Sequence, residues 1–259
     1  MSLDQDRLKT ILNQKLAYYS RPDIRKDARL NFFSGEILAR ELNSSMHVLD
    51  IGCGSGSTLL ELSERFAAGV GIDNDPEHIH LAQEEKRAMG VENVDFFLME
   101  FPSETAPLGL ESFDVVFSNL GPVGDSPANI QAALKLLKPD GLLLCMEIGE
   151  LHQPEAGELF GTPAHGNQVI HIGERLRMWM VECGVDIRLC ADLVAKWCYK
   201  DIYDWFYYQC SIWTWCGVPL PAPDDPRIEL FAQRNTNANG EIETTHHVAI
   251  IGGVKRSMK

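Results

Sequence analysis

The segment "VLDIGCGSGSTLLEL", residues 48–62, decides the fold. Apolar Val48, Leu49 and Ile51 surround one carboxylate, Asp50, and glycines follow at 52, 54 and 56 before a helical run begins. Glycine alone combines positive φ with a main chain that a ligand can approach unhindered. At the start of a helix, the amide N–H groups also point outward unpaired. The segment therefore predicts a strand, a tight turn and a helix start that receive the polar groups of a bound molecule. The dinucleotide fingerprint G-x-G-x-x-G does not fit in either register, because its sixth position falls on Ser57 or Leu59.

Working outward, short apolar runs alternate with helical patterns. The strands are expected at "HVLDI", "AGVGID", "VDFFLM", "FDVVFSN", "GLLLCMEI", "IRLCADLVA" and "HHVAIIGGV", the pattern of a largely parallel sheet with helices on both faces. Asp75 before Pro76 reads as an N-cap with a first-turn proline, and Gly90 closes that helix. Ser126 with Pro127 opens another, which "KPDG" should end. Ahead of the first strand, Leu8, Ile11, Leu12 and Leu16 recur at helical spacing, and Ser34 before "GEILAREL" signals a second helix. Residues 152–167 have loop composition, and 199–245 hold an aromatic helix followed by a Pro-rich and Asn/Gly-rich stretch. No linker divides the chain, so a single domain is expected.

The 259 residues are 45% hydrophobic and 23% charged, a globular composition, and the apolar runs are too short to span a bilayer. The first twenty residues lack the continuous apolar core of a secretory signal, which makes the cytoplasm the expected location and a membrane an unexpected partner. Seven cysteines form no Cys-x-x-Cys pair, so neither a disulfide framework nor a zinc site is indicated. A formal charge of −14 repels phosphate backbones, and "RPDIRKDAR" is the one basic cluster, so no nucleic acid is expected. His246 and His247 face opposite sides of a strand, and His78 and His80 do not share a helix face. No metal is predicted.

The pattern that does fit, D-x-G-x-G-x-G from Asp50 to Gly56, resembles motif I of class I S-adenosylmethionine-dependent methyltransferases of the small-molecule type. "GIDNDPEHIHLA", "FFLMEF", "FDVVFSNLGP", "ALKLLKPDGLLLCME" and "TNANGEIETTHHVAIIGGVKR" resemble the family's later elements in order, and the likeness covers roughly 45–254. It implies a Rossmann-like α/β fold with a seven-stranded, mostly parallel sheet. Helices at 1–44 would precede the 45–259 core, which would carry an α-rich cap at about 199–245 before the last strand. It implies S-adenosylmethionine as cofactor, with S-adenosylhomocysteine as product. Gly52, Cys53, Gly54 and Gly56 would meet the methionine end, and Asp50 would hold the loop or the ammonium. Asp73, with Asn74 beside it, would accept both ribose hydroxyls, while Glu100 and Phe101 would meet the adenine. Asn119, Leu120 and Gly121 would line the floor near the methyl group, and Asp75, fully explained as a cap, is assigned no ligand.

Methyl transfer from a sulfonium is an in-line displacement that alignment and water exclusion largely accomplish, so a dedicated base is not required. If the acceptor is a hydroxyl, Glu147, His152 and His165 are the candidate bases. "WCYKDIYDWFYYQCSIWTW", residues 197–215, is part core and part candidate cap over a flat or apolar small molecule. Trp205 and Tyr208 are the candidate contacts there, and Tyr18 and Tyr19 would close the other side. A small-molecule methyltransferase, monomeric or homodimeric, is the expected function. A protein or RNA methyltransferase, or a non-catalytic cofactor-binding interaction protein, is the alternative.

Overall fold

A computed structural model describes residues 3–13, 32–161, 172–215 and 218–256. The elements in chain order are α1 (Gln5–Asn13), a π-type turn (Phe32–Leu38) that runs into a short helical segment (Ala39–Glu41), β1 (His47–Ile51), α2 (Ser57–Glu61), β2 (Ala68–Asp73), α3 (Pro76–Met89), β3 (Val94–Leu98) and β4 (Phe113–Asn119). They continue with α4 (Pro127–Leu136), β5 (Leu137–Ile148), α5 (Pro154–Phe160), α6 (Ile172–Glu182), β6 (Val185–Tyr199), α7 (Ile202–Trp215), α8 (Pro226–Asn235) and β7 (Ile242–Lys255).

The seven strands form one sheet in the order β3-β2-β1-β4-β5-β7-β6. β1 pairs in parallel with β2 and β4, β2 with β3, and β4 with β5, whereas β7 runs antiparallel to β5. The chain winds outward from β1 to β3 and then returns to place β4 on the other side of β1. Strand order therefore reverses between β1 and β4, where the loops at the carboxyl ends diverge and leave a crevice.

The chain divides into two compact units. One comprises 22–149, 170–192 and 248–259, and the other 1–21, 150–169 and 193–247. The first holds β1 to β5 and most of the helices on them. Its core joins Leu49, Ile51, Val116, Leu143 and Cys145 of the sheet to Ile130, Ala133 and Leu134 of α4 and to Leu176 and Met180 of α6. Burying each large side chain contributes about 1.5–3 kcal/mol, enough collectively to offset the cost of ordering the strands.

The second unit builds its own core from aromatic side chains. Trp205 of α7 stacks on Phe231 of α8 at 3.8 Å, and Phe160 of α5 packs against Trp213 at 5.2 Å. α1 docks on α7 through its buried Leu8, through Arg7 lying 4.0 Å over the Tyr203 ring, and through the Asp4 N–H, which donates to Tyr203 Oη at 2.7 Å. Interleaving of three segments explains why no linker marks the division.

The helix signals behave as their chemistry dictates. The Asp75 carboxylate accepts from the Glu77 N–H, Pro76 opens α3, and Gly90 ends it at φ 66°. The Ser126 hydroxyl accepts from the Asn129 N–H ahead of Pro127. α4 ends at Leu136, just ahead of "KPDG", and that segment also lies within β5, where the register with β4 shifts between Phe113 and Val115. Ser34 falls inside the π-type turn Phe32–Leu38 rather than ahead of a helix.

Candidate functional site

At the crevice, the end of β1 and its glycine loop are tied to β2 by the main chain. The Gly52 and Cys53 N–H groups both donate to the Ile72 carbonyl, at 2.9 and 3.0 Å. Glycines 52, 54 and 56 all adopt positive φ. Gly56 most clearly requires it, because at φ 75° a Cβ would also run into the Phe96 ring. The loop thus turns three times within five residues and delivers Ser57 to the start of α2, as the sequence requires.

Two carboxylates serve this loop in different electrostatic states. Asp73, at the end of β2, accepts from the Gly54 N–H with Oδ2 at 2.8 Å and from the Asp75 N–H with Oδ1 at 2.9 Å. Its Oδ1 also lies 3.3 Å from His78 Nδ1. Burial alone would favour the neutral acid. The bonds from His78, Asp75 and Gly54 outweigh it and hold the carboxyl below its usual range. Asp50 is 2% exposed. Burial first, and the charge of Asp73 second, push its pKa well up. Among the described residues its Oδ1 has no hydrogen-bond partner. The same burial, with both aspartates adding to it, raises the neighbouring Cys53 thiol.

The end of β4 completes the crevice. Ser118 donates its hydroxyl to the Ile51 carbonyl at 2.9 Å, and Gly121 packs so closely that a Cβ there would strike the same oxygen. Leu120 takes a positive φ of 57°, unusual for a branched residue, and its N–H donates to the Met146 carbonyl at 2.9 Å. Asn119 Oδ1 is buried and, like Asp50 Oδ1, finds no donor among the described residues. On the far side, Asn74 donates from Nδ2 to Glu100 Oε2 at 2.9 Å, and Phe101 is buried immediately after it.

The predicted site residues thus fall into three groups. Asp50, Gly52, Cys53, Gly54, Gly56, Asp73, Asn119, Leu120 and Gly121 converge at the carboxyl ends of β1, β2 and β4, with Asn74 and Glu100 bonded to each other. Glu147, at the end of β5, faces Gly124, whose missing Cβ makes room for its carboxyl. Desolvation chiefly, and Asp125 next, push its pKa up to about 8 against the pull of Arg175. His152, Trp205 and Tyr208 belong to the aromatic unit. There His152 packs edge-on to His246 at 4.6 Å, Trp205 is fully buried and donates to Gln153 Oε1 at 3.3 Å, and Tyr208 lies 5.2 Å from Tyr199. Tyr18, Tyr19 and His165 lie outside the described residues.

Sequence reasoning passed over His78, which it considered only as a metal ligand and set aside. Its place five residues after Asp73, in the first turn of the helix that Asp75 caps, was the available signal.

The donor set is suited to a ligand that brings both cations and hydroxyls. It offers one ionised carboxylate at the end of β2 and two buried oxygens in need of donors. Residues 42–209 match a family model described as a methyltransferase domain. The uncharacterized methyltransferase YcgJ of Bacillus subtilis (strain 168) is 29% identical over 113 residues, 43% of this chain and 44% of that protein. A trans-aconitate 2-methyltransferase of Acidovorax sp. (strain JS42) is 29% identical over 181 residues, covering 66% of this chain and 65% of its own. The crystal structure of YcgJ superposes with a TM-score of 0.59 at 18% identity, over 87% of this chain and 99% of that one, which establishes the fold. The chain aligns with about half to two thirds of the length of these curated relatives.

Proposed function

The chain belongs to the methyltransferase domain family, and on that premise we propose that it transfers a methyl group from S-adenosylmethionine to a small-molecule acceptor. The observation that carries the proposal is the pair of buried, donor-less oxygens, Asp50 Oδ1 and Asn119 Oδ1, at the adjoining ends of β1 and β4 beside the glycine loop. Orphaned buried acceptors are rare in native proteins and require a partner. An amino-acid ammonium supplies one.

When bound, the cofactor supplies a methyl group already activated by its sulfonium. The chain's own residues hold and align. Asp73, kept ionised by its hydrogen bonds, accepts from the ribose. The Asn74–Glu100 pair and Phe101 flank the adenine. Leu120 and Gly121, locked onto β5 and β1, set the floor against which the acceptor is aligned. A nucleophile that loses a proton on methylation can hand it to Glu147, whose pKa of about 8 suits a base working near neutrality.

The name of the trans-aconitate relative supports a small acceptor. So does the aromatic unit, where Gln209 Oε1, Trp213 Nε1 and Thr244 Oγ1 are buried without partners among the described residues, a polar interior that a compact, hydrogen-bonding molecule would satisfy. A formal charge of −14 weighs against nucleic acid as the acceptor.

Isothermal titration calorimetry with S-adenosylhomocysteine tests the cofactor assignment. Micromolar binding is expected, with none for NAD, and Asp73→Ala should weaken it by about 1–3 kcal/mol, the scale of a charge-assisted hydrogen bond. Affinity unchanged by Asp73→Ala would remove the ribose assignment, and NAD binding in place of S-adenosylhomocysteine would remove the proposal.

A further inference from the structure

We propose that His78 is a positioning residue that occupies the ribose-binding carboxylate in the cofactor-free protein and gives it up, with release of a proton, when the cofactor binds. The inference rests on the cofactor assignment above and on a count of acceptor sites. A carboxylate offers about four lone-pair directions, two per oxygen. On Asp73 two are taken by main-chain donors that the fold fixes, Gly54 N–H on Oδ2 and Asp75 N–H on Oδ1. A third, on Oδ1, is taken by His78 Nδ1. Two ribose hydroxyls need two acceptor sites, and one remains. The bond that can yield is the side-chain one. At 3.3 Å it is the longest of the three, and the imidazole sits on the rim of the site with 21% of its side chain exposed.

The charges around His78 give the exchange a direction. Asp73 faces it from the end of β2, and Asp75 and Glu77 face it from the start of its own helix; Asp75 Oδ2 lies 4.0 Å from Nε2. Glu100, beyond β3, is engaged by Asn74, and the charge of Asp73 is felt by Asp50 on β1. Burial works against a charged ring, but the bond and charge of Asp73 prevail and raise the pKa of His78 above its ordinary value. Once Asp73 bonds the ribose, that support weakens and the pKa falls. Binding therefore expels a proton wherever the pH lies between the free and bound values, and affinity rises with pH across that window. Each unit of difference corresponds to about tenfold in affinity.

S-adenosylhomocysteine is the probe of choice because it lacks the sulfonium, so repulsion between that charge and a charged His78 cannot imitate the effect. Calorimetric titrations between about pH 5.5 and 8.5, in buffers of different ionisation enthalpy, should show affinity rising several-fold toward alkaline pH, with a fraction of a proton released per cofactor. His78→Met should bind at the acid end about as tightly as the native chain does at the alkaline end, with no release. His78→Gln, which keeps a neutral donor, guards against a packing artefact and should also lose the pH dependence. Affinity independent of pH, proton uptake, or a pH dependence that survives both substitutions would overturn the inference while leaving the cofactor assignment standing. Absence of S-adenosylhomocysteine binding at every pH would overturn both.

Discussion

Glu147 shows how far environment decides the chemistry of a single side chain. Its Oε1 is buried without a partner among the described residues, Gly124 leaves it space, and Asp125 opposes its ionisation more than Arg175 assists. With a folded pKa of about 8, well above that of an unfolded glutamate, the native state holds the proton more tightly than the unfolded chain does. Its contribution to stability is accordingly complete below about pH 4.5 and is lost as pH rises toward 8. Glu147→Gln keeps the shape and removes the titration. Urea denaturation at pH 5 and pH 8 should show the variant losing less stability than the native chain across that interval, by about 2–4 kcal/mol. Parallel losses would mean that the carboxyl ionises normally. Asp50 and Asp73 make the related point about what a sequence conceals. Both were legible as site residues from their spacing, but the upward shift of one and the downward shift of the other depend on burial and on the donors that Gly54, Asp75 and His78 bring from elsewhere in the fold.

Between elements, the crevice depends on how closely the loops after β1 and β4 approach. Ser118 and Gly121 both press on the Ile51 carbonyl, and Gly52 would place a Cβ 3.0 Å from the Gly121 Cα. Gly121→Ala should therefore push the two loops apart, lowering stability by about 1–3 kcal/mol and weakening S-adenosylhomocysteine binding. Gly90→Ala is the control. It strains a positive φ of 66° at a helix end but meets nothing within 4 Å, so it should cost about 1 kcal/mol and leave binding alone. Equal effects of the two substitutions on binding would refute the close-approach argument. The elements themselves were largely legible because their signals are local: alternation for the strands, Asp75–Pro76 and Gly90 for α3, Ser126–Pro127 for α4. What was not legible depends on partners distant in sequence. "KPDG" follows the end of α4 as a helix stop should, but it also lies within β5, where the register with β4 passes over it from Leu137 to Leu142. Ser34 has the composition of a cap, but the turn around it buries Phe33, which lies 5.9 Å from Phe117 of β4.

For the molecule as a whole, the division into two units separates two kinds of chemistry. The cofactor candidates, from Asp50 to Gly121, all fall in the sheet unit, while the aromatic core falls in the other. Sequence could not show that division, since the aromatic unit is assembled from three separate segments and its strand portions continue β6 and β7 without a break. If the separation is energetic as well as geometric, damage to one unit should spare the ligand affinity of the other. Phe231 tests this: it is fully buried, stacks on Trp205 and packs near Phe160, and belongs to the aromatic unit, whereas the residues assigned to the cofactor belong to the sheet unit. Phe231→Ala should destabilise the aromatic unit by about 3–5 kcal/mol, the usual cost of emptying an aromatic site. Hydrogen exchange should rise across α5, α7 and α8 far more than across β1 to β4. Calorimetry on the same variant should find S-adenosylhomocysteine affinity within about twofold of the native value, since RT ln 2 is only about 0.4 kcal/mol. A loss of cofactor affinity as large as the loss of stability would show instead that the two units fold and bind as one cooperative body.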